Sequence, residues 1–512
     1  FFWVYTMLKY SAITLCCIML LLTCLVYAQT PDSVSFNVDV TTTTPFTHVW
    51  NQCVGSGHAL LALRADYRNY LTRVQRELGL KFVRFHGILD DDMSTYSTVN
   101  GVGQTSFFNV DSVYDFLLSI NMKPYVEVSF MPELLASGTE TVFHYNANIT
   151  PPANATAWAE VISEFITHLE ERYGVDEVRS WPFEIWNEPN CGFWSGTMQD
   201  YYEFYSVTVN AIKSVDPLLK VGGPATCQSQ WLTEFLNYTS TVGSPVDFVS
   251  THEYPTDKNP TYRDVMTQVV KQARQEVGDL PLYYSEYNDG LYEPPHHDSS
   301  YAAAFIAKNA HDLEPYIDFI SWWTFSDIFE EQGFSSIPFN DPNGWGLLNR
   351  YGIPKPSYRI FQLLKDVGYE KVSVTSGNAN EVSYLKDIEV WGTVQSTTSN
   401  GILLHLVVYN FDVVGRPMNN LIANITIDGV DVTKVAPTGT INRIDTNNAN
   451  PVAAWESMGS PLYPTRSELE EIDIASQLKP MPISYTTSSS SSINMQIELE
   501  PLAVAVITLE LS

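Results

Sequence analysis

The stretch from Ser180 to Pro189, SWPFEIWNEP, and the stretch from Gln199 to Asp216, QDYYEFYSVTVNAIKSVD, together decide the fold. The first is a strand-length apolar run, and the second repeats its apolar residues at helical spacing. Between about residue 50 and residue 370 the same pairing recurs, eight times in all. NQCVGSGH (51–58) precedes ALLALRADYRNYLTRVQRELG, KFVRFHG (81–87) precedes VDSVYDFLLSIN, and KPYVEVSF (123–130) precedes AWAEVISEFITHLEERYG. After SWPFEIWNEP come LKVGGPA (219–225) with SQWLTEFLNYT and VDFVSTHEYP (246–255) with TYRDVMTQVVKQARQEV. LPLYYSEYN (280–288) with SYAAAFIAKNAHDL and DFISWWTFSD (318–327) with PSYRIFQLLKDVG complete the series. Strands alternating with helices imply parallel β/α units, and eight of them close a (β/α)8 barrel over residues 50–370.

Beyond residue 370 the helical period fades. Runs such as ISYTTSSSSSINMQIELEPLAVAVITLEL alternate and break at polar turns, as antiparallel strands do, so 371–512 reads as a β-sandwich. The segment 29–49, with SVSFNVDV (33–40), is expected to add a strand to it.

In such a barrel the chemistry sits where strands end and the following loops begin. The polar residues there are Gly55 to His58, Arg84 to Gly87, Asn187 and Glu188, His252 to Tyr254, Glu286 to Asn288, and Ser326 with Asp327. A carboxylate at the end of a buried strand is costly unless it is paired, which marks Glu188 for chemistry. Glu188 ends the fourth strand and Glu286 the seventh, so both lean over one axial cavity. Two facing carboxylates are what glycoside hydrolysis needs, one protonated and one ionised. Asn187 is placed to meet a sugar 2-hydroxyl, and His86 and His252 to hold hydroxyls. Of Trp322 and Trp323, adjacent and so facing opposite sides, Trp323 is expected in the site and Trp322 in the core. Arg84 reads equally as a buried ion-pair partner. The chain shows no G-x-S-x-G elbow, phosphate loop, dinucleotide glycine motif, HExxH or CxxC spacing, so no metal or organic cofactor is implied.

Lys and Arg number 28 against 58 Asp and Glu, a net charge of -30. That field repels polyanions, excluding nucleic acid and anionic membrane surfaces as main partners, while the 13% aromatic content suits a carbohydrate. From Met7, MLKYSAITLCCIMLLLTCLVYAQT carries a basic residue, an apolar run and a small residue at Ala28. This predicts a secretory signal over 1–28, with no membrane attachment after cleavage and an extracellular or lysosomal destination. Four N-x-Thr sequons, at Asn148, Asn154, Asn237 and Asn424, fit that route. Cys53, Cys191 and Cys227 remain in the mature chain; the last two follow strands four and five on neighbouring loops, which allows a disulfide between them with Cys53 free.

With these residues in place, the chain resembles glycoside hydrolase family 39, the retaining family of β-xylosidases and α-L-iduronidases. The likeness rests on VGSGH, RFHGILDDDM, WNEPN, VGGPAT, VDFVSTHEY, SEYN, WWTFSDIFEE, GIPKPSY and NRIDTNNANPVAAWESMGSPLYPT. It implies that Glu188 is the acid/base, Glu286 the nucleophile, and His86, Asn187, His252, Tyr254, Trp323 and Glu330 sugar-contacting. Within the family, Glu253 would repel a uronic carboxylate, and WWTFSDIFEE is closer to the β-xylosidase branch. One departure is Trp345 in DPNGWGLL, where that branch carries Phe. Arg350, just beyond, could hold a carboxylate and sustains an α-L-iduronidase alternative; a barrel that only binds glycans is a third reading.

Overall fold

The structure, a computed structural model, describes residues 31–257, 262–291, 296–377, 383–396, 401–432 and 439–511. The signal segment expected over 1–28 lies outside them. Eight parallel strands close a barrel in chain order: Cys53–His58, Phe82–His86, Lys123–Val128, Pro182–Ile185, Lys220–Thr226, Phe248–Glu253, Leu282–Tyr287 and Phe319–Trp322. Each matches one of the eight apolar runs, and the final strand pairs with the first through Ser321 and Cys53.

The fourth unit shows why the sequence folds this way. Phe183 and Ile185 point outward into the main core beneath the helices, whereas Glu184 points into the barrel with Arg84. Helix Met198–Val215 then starts at a capping box in which Thr197 and Asp200 satisfy each other's backbone N–H groups, and it buries Tyr201, Tyr205, Val209 and Ile212 against the barrel. The barrel interior is layered. Cys53, Tyr125, Phe248 and Phe319 form an apolar plug at the strands' beginnings. Arg84, Glu127, Glu184 and Ser285 form a buried polar layer above it. Above that lie the strand ends that carry Glu188 and Glu286.

A ten-stranded sheet forms the second unit. From one edge its order is Met481–Ile483, Gly439–Ile444, Val504–Leu511, Ile402–Asn410, Ile388–Ser396, Glu370–Ser376, Asp32–Pro45, Leu421–Asp428, Ser492–Leu499 and Thr486–Ser489. Asp32–Pro45 pairs antiparallel with Glu370–Ser376 and parallel with Leu421–Asp428. Both halves share one core around Phe36, Leu406, Ile425, Ile497 and Leu509, the sandwich arrangement. The other face, through Trp391, Tyr409 and Phe411, joins the core of the barrel.

Two helices, Pro451–Ser457 and Arg466–Ala475, interrupt the strands. Strand alternation beyond residue 370 does not foreshadow them. Trp455 and Ile472 bury Phe339 and Ile353, so the second unit braces the long loop that follows the eighth barrel strand.

Candidate active site

The fourth strand ends in strained backbone. Trp186 has φ +73° and Glu188 φ +40°, a region that L-residues other than glycine seldom occupy and that costs on the order of 1–3 kcal/mol per residue. The Glu188 N–H donates to Ala225 O at 2.8 Å, pinning the turn to the fifth strand. Opposite, Glu286 ends the seventh strand. One carboxylate oxygen of Glu188 and one of Glu286 lie within 4.8 Å of each other and of a His252 ring nitrogen.

The two carboxylates have different surroundings. Glu286 Oε1 accepts from Arg84 NH1 at 2.5 Å, and Glu286 Oε2 from the Tyr254 hydroxyl at 2.7 Å. Burial raises Glu286 to about 7, against the pull of Arg84, His86 and the Tyr254 hydrogen bond. Burial, and then the repulsion of Glu286, holds Glu188 well above the usual carboxylate range. The first proton lost from the pair therefore leaves Glu286, and Glu188 keeps its own.

His252 reinforces that order. Its Nδ1 is 2.8 Å from Glu188 Oε1, and its Nε2 is 3.1 Å from Ser285 Oγ. Burial, then the nearby Arg84 and His86 charges, keep the ring well below its usual pKa and so neutral. Ser285 donates its own proton to Glu184 Oε1 at 2.6 Å and thus accepts from His252 Nε2–H. Nδ1 is then bare, and the contact with Glu188 requires the carboxylic O–H to donate.

Arg84 organises the floor. Its Nε donates to Glu184 at 2.6 Å and its NH2 to Asn187 Oδ1 at 2.9 Å, with Glu127 2.8 Å from NH2. Because Arg84 occupies the Asn187 carbonyl, the amide NH2 is the group Asn187 offers to a ligand.

A cavity of about 420 Å³ opens over these groups, a size suited to a small ligand. It is lined by His86, Asn187, Glu188, Tyr254, Glu286 and Trp323 among the residues expected from sequence. Trp323 meets Phe329 edge-on and is 4.9 Å from the His86 ring, while Trp322 is in the core. The glycines of VGSGH make room for that wall: a Cβ on Gly55 would lie 2.4 Å from Trp323, and one on Gly57 2.7 Å from Phe329. Trp345 also lines the cavity and packs edge-on against Phe329.

Other expected contacts fall elsewhere. His252 is fully buried and is not among the residues lining the cavity; its Nδ1 contact is with Glu188. The Glu330 carboxylate is held 2.8 Å from His58 Nδ1; the cavity is lined instead by Glu331, 3.3 Å from His86 Nε2. His86 is already engaged, with Glu127 2.8 Å from its Nδ1. Burial opposes charge on that ring, but Glu127 and Glu331 outweigh it and hold it at about 10. Glu253 is buried in the barrel wall, accepting from Ser229, and does not line the cavity, whereas Asp257 does. Arg350 donates to Ile337 O and pairs with Asp341 away from this cavity. Among the described residues, neither Lys nor Arg lines the cavity.

Sequence reasoning missed Glu127, Glu184 and Ser285. Their signal was available: a lone acidic residue within PYVEV and within PFEI can sit in a strand only if it faces a cation inside the barrel. Cys191 and Cys227 form a disulfide at the cavity edge, and Cys53 is a buried free thiol that burial pushes up to about 12.

The chain has relatives among known proteins. A β-xylosidase of Caldicellulosiruptor saccharolyticus is 41% identical over 90% of this chain and 95% of that protein. A monomeric β-xylosidase structure from Caulobacter crescentus superposes with a TM-score of 0.81 at 27% identity, covering 93% of this chain and 99% of that one. A mouse α-L-iduronidase is 22% identical over 79% of this chain and 69% of its own length. The family model for glycosyl hydrolases family 39 matches residues 36–491, and with two strand-end glutamates facing each other over a cavity of this size, the chain belongs to that family.

Proposed function

We propose that the chain is a retaining exo-acting β-xylosidase that hydrolyses xylo-oligosaccharides or other β-xylosides by double displacement. The observation that carries it is that Glu188 and Glu286, ending the fourth and seventh strands, line one cavity with an oxygen of each within 4.8 Å of the other, close enough for both to act on one glycosidic bond. Glu286, held by Arg84 and Tyr254, attacks the anomeric carbon while Glu188, its O–H turned from His252 Nδ1 to the bound glycoside, gives its proton to the departing oxygen. The bond between that oxygen and the sugar breaks, leaving a glycosyl ester on Glu286. Glu188, now ionised, takes a proton from water, whose oxygen displaces Glu286 and restores both groups. Asn187 offers its amide to the sugar 2-hydroxyl, a contact that strengthens as charge develops at the ring. Trp323 presents an apolar face to the sugar.

A neutral sugar suits the cavity. No Lys or Arg lines it among the described residues, Asp257 and Glu331 do, and Arg350 is committed to Asp341. An α-L-iduronide would bring a carboxylate beside Glu188, Glu286, Glu331 and Asp257, with the His86 ring already engaged by Glu127 and Glu331. Side-by-side assay of the mature chain on aryl β-D-xyloside and aryl α-L-iduronide tests the reading: xyloside turnover that disappears in Glu286→Gln supports it, and iduronide turnover alone overturns it.

The destination belongs to the same proposal. The apolar leader over 7–28 and the Cys191–Cys227 disulfide both suit export into an oxidising compartment. No helix among the described residues is long and apolar enough to cross a membrane. Of the sequons, Asn154, the exposed N-cap of the helix Ala155–Tyr173, and Asn237, exposed on the helix Leu232–Val242, are the sites proposed to carry glycan. Asn148 is buried with its side chain bonded to Gly138 and Thr150.

A further inference from the structure

We infer that His58, Asp90 and Asp92 form a site for a first-row divalent cation, zinc foremost, beside the catalytic cavity and separate from it. His58 ends the first barrel strand and is fully buried, its ring stacked on Tyr145 at 3.7 Å. Its Nε2 faces two carboxylates, 3.4 Å from Asp90 Oδ2 and 3.2 Å from Asp92 Oδ2, yet makes no hydrogen bond of acceptable geometry. Asp90 Oδ2, also buried, has no regular hydrogen bond besides that ion pair with His58. Three donor atoms thus converge, each within 4.8 Å of the others. A tetrahedral ion with bonds of about 2.0–2.2 Å places its ligands about 3.3–3.6 Å apart, close to the two spacings measured from Nε2.

The remaining ring nitrogen supplies an independent mark. Glu330 lies 2.8 Å from His58 Nδ1, the carboxylate that fixes the tautomer and orientation of a metal-binding histidine. The neighbouring Asp91 is turned away, its carboxylate accepting from the Glu133 N–H, so it is not a ligand. One imidazole with two carboxylates suits zinc or manganese and disfavours calcium and magnesium, which take oxygen. Three protein ligands leave a fourth position for water on the side of Asp92, the most exposed of the three. An ion here would tie the Asp90–Met93 turn to the first strand. Through Glu330 it would also fix the segment that carries Glu331 into the catalytic cavity.

The test is calorimetric titration of the chelator-treated mature chain with zinc, together with its thermal midpoint with and without the ion. One saturable equivalent and a raised midpoint are expected. Asp92→Asn, the variant least disruptive to the core, should weaken binding at least about 10-fold, and Glu330→Gln by about 10- to 100-fold without removing a ligand. Asp92→Asn also removes a carboxylate 3.2 Å from His58 Nε2, so the comparison is the rise in midpoint on adding zinc to each protein, which should be smaller in the variant than in the parent. Absence of a saturable equivalent overturns the inference, as does an equivalent that both variants leave intact. So does one abolished by Glu188→Gln instead, which would place the ion in the catalytic cavity.

Discussion

His252 lies directly beneath Glu188, its Nδ1 2.8 Å from Glu188 Oε1, and its other nitrogen is committed to Ser285. A neutral ring whose only N–H points away leaves Nδ1 as an acceptor, so the acid of the pair is held in its protonated form by a contact three residues deep.

Ser285→Ala tests that chain. Removing the acceptor for Nε2–H costs about 1–3 kcal/mol in the present tautomer and favours the one with Nδ1–H, which donates to an ionised Glu188. The Glu188 pKa then falls, and the alkaline limb of kcat/KM moves to lower pH by up to about one unit. Glu184 keeps its Tyr125 and Arg84 bonds, so the fold should survive. An unmoved alkaline limb would mean that Ser285 plays no part in holding the proton.

The pH profile itself should be a bell. Glu286, raised to about 7, must lose its proton to attack, so activity falls as pH drops through that region. Glu188, raised well above the usual range, must keep its proton, so activity falls again as pH rises through its pKa. In Glu188→Ala the alkaline limb should vanish. The first step should survive for aryl xylosides with good leaving groups and fall about 10²- to 10⁴-fold for poor ones. Equal losses on both would undo the assignment.

Arg84→Gln should move the acid limb the other way. Arg84 is the main cation pulling Glu286 down, and its removal raises that pKa, shifting the limb to higher pH. It also leaves Glu127, Glu184 and Glu286 buried without their shared partner, at a cost of about 3–5 kcal/mol in stability. Chemical denaturation alongside the pH profile reads both effects.

The disulfide closes a loop with sequence separation 36, which in the chain-entropy view is worth about 3–4 kcal/mol. Cys191→Ser with Cys227→Ser should lower the denaturation midpoint accordingly. Because both residues line the cavity, KM should rise as well. Non-reducing peptide mapping that finds both thiols free in the purified chain would contradict the pairing.

What the sequence shows and hides follows from how each feature is encoded. The barrel is legible because each strand is buried on both faces and each helix on one, so the periods of SWPFEIWNEP and QDYYEFYSVTVNAIKSVD differ plainly. Glu188 and Glu286 are legible because charge at a strand end is costly. His252 and Glu330 are hidden in a different sense: their strand and loop are apparent, but which neighbour each meets depends on a few ångströms of packing. Thus Glu331 enters the cavity while Glu330 turns to His58. The helices at Pro451–Ser457 and Arg466–Ala475 are too short to impose a period on the surrounding strands, although Thr465 with Glu468 forms a capping box.

The most direct measurement is proton NMR of an aryl β-xyloside during the first minutes of hydrolysis, before the free sugar mutarotates. Attack by Glu286 followed by attack of water inverts the anomeric carbon twice, so β-xylose should appear first and α-xylose only later. α-Xylose as the first product would contradict double displacement through Glu286.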